Sequence, residues 1–206
     1  MLIGVDFDNT IVSYDTLFHK VAAERDAVPE STPPTKLAVR DYLRAIGKED
    51  IWTEMQGYVY GARMSEAEVY PGVIEFFRWA RARRIPVCIV SHKTRHPFIG
   101  PRYDLHQAAR DWIATHLVDE QGVLLTADRV FFELTKEAKW ERIAVAGCDW
   151  FIDDLPEILL AESFPGHVGR ILFDPEIHHA AVDGLTRFCA WNDIRRHFER
   201  QCGPTN

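Results

Sequence analysis

The stretch Leu2-Ile3-Gly4-Val5-Asp6-Phe7-Asp8-Asn9-Thr10 near the start of the chain decides the fold. A short apolar run that ends in two carboxylates and a threonine is typical of a buried parallel strand with polar side chains at its C-terminal end. Carboxylates this close repel each other by several kcal/mol at an effective dielectric constant of about 20. We therefore expect a cation beside them, most simply a divalent metal, unless Asp8-Asn9-Thr10 is only a turn.

Three further apolar runs also end in polar side chains. Residues 85–90 precede Ser91-His92-Lys93-Thr94, residues 130–132 precede Lys136 and Lys139 at the start of a predicted helix, and residues 150–152 precede Asp153-Asp154. Runs of this length, separated by helical patterns, predict alternating strands and helices. That alternation predicts an α/β fold, a doubly wound parallel sheet with helices on both faces.

The ordered set Asp-x-Asp-x-Thr, Ser, Lys, Asp-Asp resembles the motifs of the haloacid dehalogenase-like (HAD) phosphohydrolase superfamily, and the match spans nearly the whole chain. The resemblance implies a Rossmann-like core with strand order 5-4-1-2-3. The fifth strand would be residues 168–173, followed by a terminal helix that contains Trp191, Ile194 and Phe198. The pattern further predicts helices over 72–84 and Leu105–His116, and a frayed tail over 201–206.

Between the first two strands lie about 55 residues that exceed a usual connection length. Helical patterns cover residues 14–27, 35–46, 49–60 and, more briefly, 64–69. By resemblance this insertion is a small helical cap of residues 14–70 over a catalytic core of residues 1–13 and 71–206. Trp52, Met55, Tyr58 and Tyr60 either line a substrate pocket or form the core of the insertion itself, and aromatic residues at helical spacing favour the second interpretation.

The resemblance also assigns chemical roles to the first motif. Asp6 lies at the nucleophile position, where a carboxylate forms an aspartyl phosphate and so divides a very slow hydrolysis into two steps. Asp8 would protonate the departing alkoxide and later take a proton from the attacking water, so we expect nearby anions to raise its pKa. Thr10 would close the turn after the strand.

A metal site is expected from four acidic residues. Asp153 and Asp154 would complete it with the side chain of Asp6 and, by resemblance, the backbone carbonyl of Asp8. Hard oxygen ligands suit Mg²⁺, which shares the phosphate of its substrate. Adjacent strand residues point to opposite sides, so one of Asp153 and Asp154 is expected to bind the metal directly, and the sequence leaves open which.

Phosphate binding is expected from the second and third motifs. Ser91 would hold the transferring phosphoryl oxygens with nearby backbone N–H groups. Lys136 would neutralise the nucleophile and the phosphate and is preferred because it is nearer the strand, although Lys139 lies on the same helical face. His92 is a candidate substrate ligand in the basic loop 92–96, which either binds a second anionic group or is simply solvated.

Composition fits a small globular enzyme. The chain has 206 residues, enough for one core and a modest insertion. Its net charge of −7 argues against a general nucleic-acid binder, and no apolar run reaches membrane-spanning length. The four cysteines lack metal-type spacing, and Cys88 and Cys148 are expected to be buried thiols. A start at Met1 without a leader suggests a cytoplasmic protein.

These observations predict a Mg²⁺-dependent phosphatase that acts on a small phosphorylated metabolite. A phosphomutase of the same fold and a catalytically inactive binding module are the alternatives. A dehalogenase is disfavoured because no leaving alkoxide would need the proton of Asp8. A phosphonatase would need a Schiff-base lysine from the cap, and the sequence gives no local support for Lys20, Lys36 or Lys48 in that role. The oligomeric state stays open.

Overall fold

The computed structural model describes residues 1–203, and its centre is a six-stranded sheet. All pairs of neighbouring strands are parallel, and the order is β6-β5-β4-β1-β2-β3. The first five strands therefore follow the predicted order 5-4-1-2-3, and the sequence prediction missed only the edge strand β6. The strands are β1 (Ile3–Val5), β2 (Val87–His92), β3 (Val130–Glu133), β4 (Trp150–Asp153), β5 (Gly169–Phe173) and β6 (Thr186–Phe188).

Helices cover both faces of the sheet, as predicted for a doubly wound fold. They are α1 (Asp15–Glu24), α2 (Lys36–Ala45), α3 (Glu49–Tyr60), α4 (Val73–Ala82), α5 (Leu105–His116), α6 (Lys136–Ala146), α7 (Pro156–Leu159) and α8 (Trp191–Cys202). Alternate residues of β2 belong to two different apolar clusters, because successive side chains of a strand point to opposite faces. Ile89 packs in the cluster that contains Phe76 of α4, whereas Val90 packs in the cluster that contains Ile143 of α6.

The segment between β1 and α4 is mostly helical, as predicted. It differs from the prediction at residues 64–69. Residues 64–69 form a 3₁₀ turn, Met64–Glu66, and a short strand, Glu68–Val69, instead of a helix. That strand pairs antiparallel with Val12–Ser13, so a separate two-stranded ribbon joins the two ends of the insertion to each other. Backbone pairing explains the difference, since residues in a ladder cannot also make helical hydrogen bonds.

Helices α1 to α3 form an insertion with its own packing. The rings of Phe18 and Trp52 pack in a tilted arrangement at a centroid distance of 4.8 Å, and Met55 of α3 is fully buried. Trp52 and Met55 therefore belong to the core of the insertion. Trp112 of α5 donates from Nε1 to the carbonyl oxygen of Ala67 at 2.9 Å, which fixes one edge of the insertion to the core.

The remaining sequence predictions concern the cysteines and the chain end. Cys88 and Cys148 are buried as expected, with their sulfur atoms 3.8 Å apart. Helix α8 continues to Cys202, so the predicted frayed tail does not begin at residue 201, and residues 204–206 of that tail lie outside the described part of the chain. Within residues 1–203, no helix has both the length and the apolar character needed to cross a bilayer.

Candidate active site

Three carboxylates converge at the C-terminal edge of the sheet. Asp6 follows β1, Asp153 ends β4, and Asp154 comes next, while the Asp6 amide donates to the carbonyl of Ile152 at 2.8 Å. One oxygen of each carboxylate lies within 4.8 Å of the other two. Asp153 is fully buried and Asp6 nearly so, whereas Asp154 is partly exposed. The parallel register of β1 and β4 brings residues about 147 positions apart to one place.

Lys139 is the lysine of this cluster. Its ammonium donates to Asp6 Oδ1 and to Asp153 Oδ2, both at 2.6 Å, and the side chain is buried. Burial lowers the pKa of Lys139, but Asp153 and Asp6 together raise it above its ordinary value, so the group stays charged. The preference for Lys136 is therefore wrong: Lys136 begins α6, is partly exposed and contacts none of these carboxylates.

Two carboxylates of the cluster, Asp6 and Asp154, resist ionisation in the absence of a metal. Burial raises the pKa of Asp6 to about 7; Lys139 opposes the shift, and the neighbouring Asp153 and Asp8 carboxylates add to it. Burial, together with the charges of Asp153 and Asp6, also holds the pKa of Asp154 well above its usual range. The cluster thus has an excess of negative charge that a bound cation would relieve.

Asp8 lies apart from this cluster, between a lysine and a tyrosine. Lys93 Nζ donates to both of its oxygens, at 2.9 and 2.7 Å, and the Tyr14 hydroxyl donates a short hydrogen bond to Oδ1. Burial raises the pKa of Asp8, but Lys93, Tyr14 and Lys36 outweigh it and lower the pKa below its ordinary value. The expectation of a raised pKa is wrong, since cations rather than anions dominate its surroundings.

Successive side chains of the second motif, from Ser91 to Lys93, alternate between buried and exposed positions. Ser91 is buried next to the turn after β1, because Ile89 two residues earlier pairs with Val5. His92 is exposed, and its Nε2 lies 3.2 Å from the carbonyl oxygen of Leu134. Its role as a substrate ligand stays a prediction, whereas Lys93, one residue on, contacts the site carboxylate Asp8.

Solved structures of low sequence identity share this architecture over nearly the whole chain. No family model and no curated protein sequence matches the chain. A β-phosphoglucomutase from the archaeon Pyrococcus sp. strain ST 04 aligns with a TM-score of 0.58 at 13% identity, covering 99% of this chain and 100% of that one. A HAD-superfamily hydrolase from Ehrlichia chaffeensis gives 0.54 at 17% identity, with 98% and 97% covered. A haloacid dehalogenase-like hydrolase from Xanthomonas campestris gives 0.55 at 14%, also with 98% and 97% covered.

The chain has the HAD-like fold. At these identities the likeness establishes the fold and not the activity, which depends on the side chains of the site. The donor set of the acid cluster fits a hard divalent cation, because three carboxylates converge at the strand ends and, among residues 1–203, one ammonium group, that of Lys139, contacts them. Thr10 supports this set by donating its hydroxyl to Asp154 Oδ1 at 3.3 Å.

The insertion adds three residues to the site to which the sequence alone assigned no role there. Tyr14 contacts Asp8, the ring of Tyr60 lies 5.0 Å from Lys93 Nζ, and Lys36 Nζ donates to Asn9 Oδ1 at 2.9 Å. Of these, the sequence indicated only Tyr60, as one of four residues that could line a substrate pocket. Neither Tyr14 nor Lys36 carries a local sequence signal for this position, because their placement depends on how the insertion folds back over the β1 turn.

Proposed function

We propose that the protein is a Mg²⁺-dependent phosphatase that hydrolyses a small phosphomonoester through an aspartyl phosphate on Asp6. The observation that carries the proposal is the convergence of Asp6, Asp153 and Asp154, with Lys139 joined to two of them. Buried carboxylates this close have no structural benefit of their own, since removing charge from water is costly. A site for a cation and a phosphate accounts for them.

The metal would be held by the side chains of Asp6, Asp153 and Asp154 and by the backbone carbonyl of Asp8. When bound, Mg²⁺ neutralises negative charge that develops on the phosphoryl oxygens. Four carboxylates, including Asp8, face three ammonium groups in this region, those of Lys36, Lys93 and Lys139. With all four ionised, one negative charge would be uncompensated; the raised pKa values of Asp6 and Asp154 reflect the same excess, and both support a cation as a resident cofactor.

Asp6 would act as the nucleophile. Its Oδ1 is held by Lys139, which fixes the orientation of the carboxylate, and its Oδ2 would form the new bond to phosphorus as the bond to the leaving oxygen breaks. Lys139 and Ser91 would stabilise the charge on the phosphoryl oxygens, since Lys139 contacts Asp6 and Ser91 is buried at the end of the strand that pairs with β1. Water then attacks the phosphorus of the aspartyl phosphate and restores the carboxylate of Asp6.

Asp8 would move the protons of both steps. A phosphate dianion bound beside Asp8 favours its protonated form by like-charge repulsion, so in the complex it can protonate the leaving alkoxide. Asp8 is then a carboxylate, the state that Lys93 and Tyr14 favour, and it takes a proton from the attacking water. Lys93 and Tyr14 thus act as positioning residues for the acid–base group.

Residues 14–70 would serve as a cap over a core of residues 1–13 and 71–206, which the contacts of Tyr14, Lys36 and Tyr60 with the site support. The substrate would be a small phosphorylated metabolite rather than a nucleic-acid polymer or a membrane lipid. A cytoplasmic location is part of the proposal and rests on the cysteine pattern, in which Cys88 and Cys148 are free buried thiols.

A phosphomutase is the second candidate, because one structure with the same fold is named as a β-phosphoglucomutase. Release of inorganic phosphate from a panel of phosphate esters, with Mg²⁺ or with a chelator, separates the candidates. The phosphatase proposal expects metal-dependent phosphate release. Interconversion of sugar phosphates without phosphate release would favour the mutase, and no turnover by a folded, metal-loaded protein would favour an inactive binding module.

A further inference from the structure

A cavity of about 450 Å³ opens beside the acid cluster, between α2 and the segments that follow β4 and β5. Asn9 and Asp154 line it, and both belong to the turns that carry the proposed catalytic carboxylates. Leu37, Tyr70 and Phe173 supply its apolar wall. The cavity is therefore contiguous with the site and large enough for a small organic group.

On the opposite side of the insertion, α3 and the loop that follows Lys93 pack closely. An added Cβ at Gly57 of α3 would lie 2.6 Å from Pro97 Cβ, and one at Gly61 would lie 2.5 Å from Tyr103 Cβ. The loop that follows Lys93 thus touches the backbone of α3 directly. A substrate whose phosphoryl group lies at Asp6 would therefore direct the rest of its structure toward the cavity.

Lys36 brings a positive charge to this cavity without an ionic partner. Its ammonium donates to Asn9 Oδ1 at 2.9 Å and contacts the Tyr60 hydroxyl, and both partners are neutral. It also lies 5.6 to 5.7 Å from the ring centres of Tyr14, Phe18 and Tyr60. Among residues 1–203, no carboxylate oxygen is within 4.0 Å of it. Burial lowers the pKa of Lys36, but Tyr60, Asp154 and Asp8 raise it, so the group is charged.

The carboxylates that line the cavity are already engaged. Asp15 Oδ1 accepts the backbone N–H of Lys36 at 2.8 Å. Asp174 accepts the backbone N–H groups of His178 and His179 at 2.8 and 3.1 Å. Asp154 belongs to the acid cluster, and Glu176 is exposed. Of the lysine and the arginine that line the cavity, Arg40 pairs with Asp41, so Lys36 is the one that has only neutral partners and retains a donor for a ligand.

We propose that the cavity binds the leaving group of the substrate and that this leaving group carries a second anion, a carboxylate or a phosphate, which pairs with Lys36. The inference rests on the proposed phosphatase function and names its substrate class. A partly buried ammonium with only neutral partners gains most from an ionised acceptor, because charge-assisted hydrogen bonds are about twice as strong as neutral ones. Lys36 would then be a specificity residue rather than part of the phosphoryl-transfer machinery.

The test uses phosphate esters of two to four carbons that differ only in the terminal group: methyl, carboxylate or ammonium. Propanediol monophosphate and bisphosphate form a separate pair that tests a second phosphate. For the wild type with Mg²⁺, we expect kcat/KM for the best carboxylate or bisphosphate ester to exceed that of its neutral match by about tenfold or more. Lys36→Met should remove that ratio, and Lys36→Arg should retain much of it.

Lys48→Met is the matched control, since Lys48 lies on the same insertion but is exposed, and it should keep the wild-type ratio. The ratio is informative because general damage to the site lowers turnover of both esters alike. Three results would overturn the inference while the phosphatase activity stands. They are an equal ratio in wild type and Lys36→Met, no preference of the wild type for anionic esters, and a preference for the ammonium ester. No hydrolysis of any ester would overturn the proposed function, and this inference with it.

Discussion

Lys136 and Lys139 are one helical turn apart on α6 and differ completely in their surroundings. Lys139 is buried and joined to Asp6 and Asp153, whereas Lys136 is partly exposed. Removing one partner of a buried ion pair leaves an uncompensated charge. We predict that Lys139→Met lowers the free energy of unfolding by about 3 kcal/mol and phosphate release by at least about a hundredfold.

The Lys136→Met variant is the matched control for that prediction. It should change the free energy of unfolding by less than about 0.5 kcal/mol, as exposed substitutions usually do, and keep its activity. Urea unfolding in the presence of a chelator and phosphate release with Mg²⁺ measure the two effects. A larger loss in Lys136→Met than in Lys139→Met would contradict the assignment of the lysine.

The pKa of Asp6 leads to a pH prediction for the metal-free protein. Because its pKa is raised from 3.8 to about 7 on folding, the protonated group contributes stability in full below about pH 4. That contribution is lost as the pH rises through about 7. The free energy of unfolding of the wild type, relative to Asp6→Asn, should therefore fall by a few kcal/mol at most over this range, since one pKa unit corresponds to about 1.4 kcal/mol.

Urea titrations of both proteins at several pH values, with chelator present, measure this difference. It should level off above neutral pH, where Asp6 is ionised in both the folded and the unfolded state. A difference that stays constant or grows with rising pH would mean that Asp6 is not destabilised as an anion.

Individual residues of the site differ in how far the sequence could reveal them. Lys93 could have been found by strand alternation, since it lies two residues after Ser91 and so on the same side as Ser91. Lys139 could have been found by its spacing, because the buried Ile143 lies four residues later on the same helix face. Lys36 and Tyr14 could not, because their contacts depend on the tertiary fold of the insertion.

Among the secondary-structure elements, α3 has an unusual surface. Gly57 and Gly61 let the loop after Lys93 approach its backbone, and Pro97 occupies the space that a Cβ at Gly57 would need. We predict that Gly57→Ala lowers the free energy of unfolding by about 1–2 kcal/mol through overpacking. The same change in an open helix would be favourable by about 1 kcal/mol.

Gly166→Ala is the control, because nothing lies within 4 Å of a Cβ at that position. Thermal or urea unfolding of both variants tests the contact. The loop also carries Lys93 to Asp8, so Gly57→Ala should lower the rate of phosphate release as well. Equal or greater stability of Gly57→Ala would show that α3 and the loop are not in close contact.

The arrangement of the elements was more predictable than their edges. The alternation of strands and helices predicted the doubly wound parallel sheet, whereas the strand order 5-4-1-2-3 was implied by the family resemblance. Strand β6 was missed because Thr186–Phe188 is only three residues long and lies partly exposed at the sheet edge, where no strong apolar pattern is needed. Residues 64–69 were misassigned because a pairing with Val12–Ser13 is a long-range event that local periodicity does not report.

For the whole molecule, the site brings together segments that are distant in the chain, so a bound metal should stabilise the fold as a unit. At a free Mg²⁺ concentration one hundred times the Kd, binding adds about 2.7 kcal/mol to the free energy of unfolding. For a chain of this size that corresponds to a rise in Tm of roughly 5–10 °C. Differential scanning fluorimetry with Mg²⁺ and with a chelator measures the shift.

Asp154→Asn should reduce this shift, because it removes one of the proposed ligands. The control is Glu157→Gln, an exposed acidic residue on α7 that lies outside the cluster, and it should leave the shift unchanged. The same Tm in Mg²⁺ and in chelator, for wild type at saturating concentrations, would argue against a divalent cation at this site.

The account depends most on the covalent capture of phosphorus by Asp6, and chemical trapping tests it directly. The protein is mixed with a phosphate ester that it hydrolyses, quenched in acid and reduced with borohydride, which converts an aspartyl phosphate into homoserine that mass spectrometry can locate. We predict homoserine at position 6 and at no other aspartate, and none after incubation without ester. Homoserine at another aspartate, or its absence from a protein that releases phosphate under the same conditions, would contradict the mechanism.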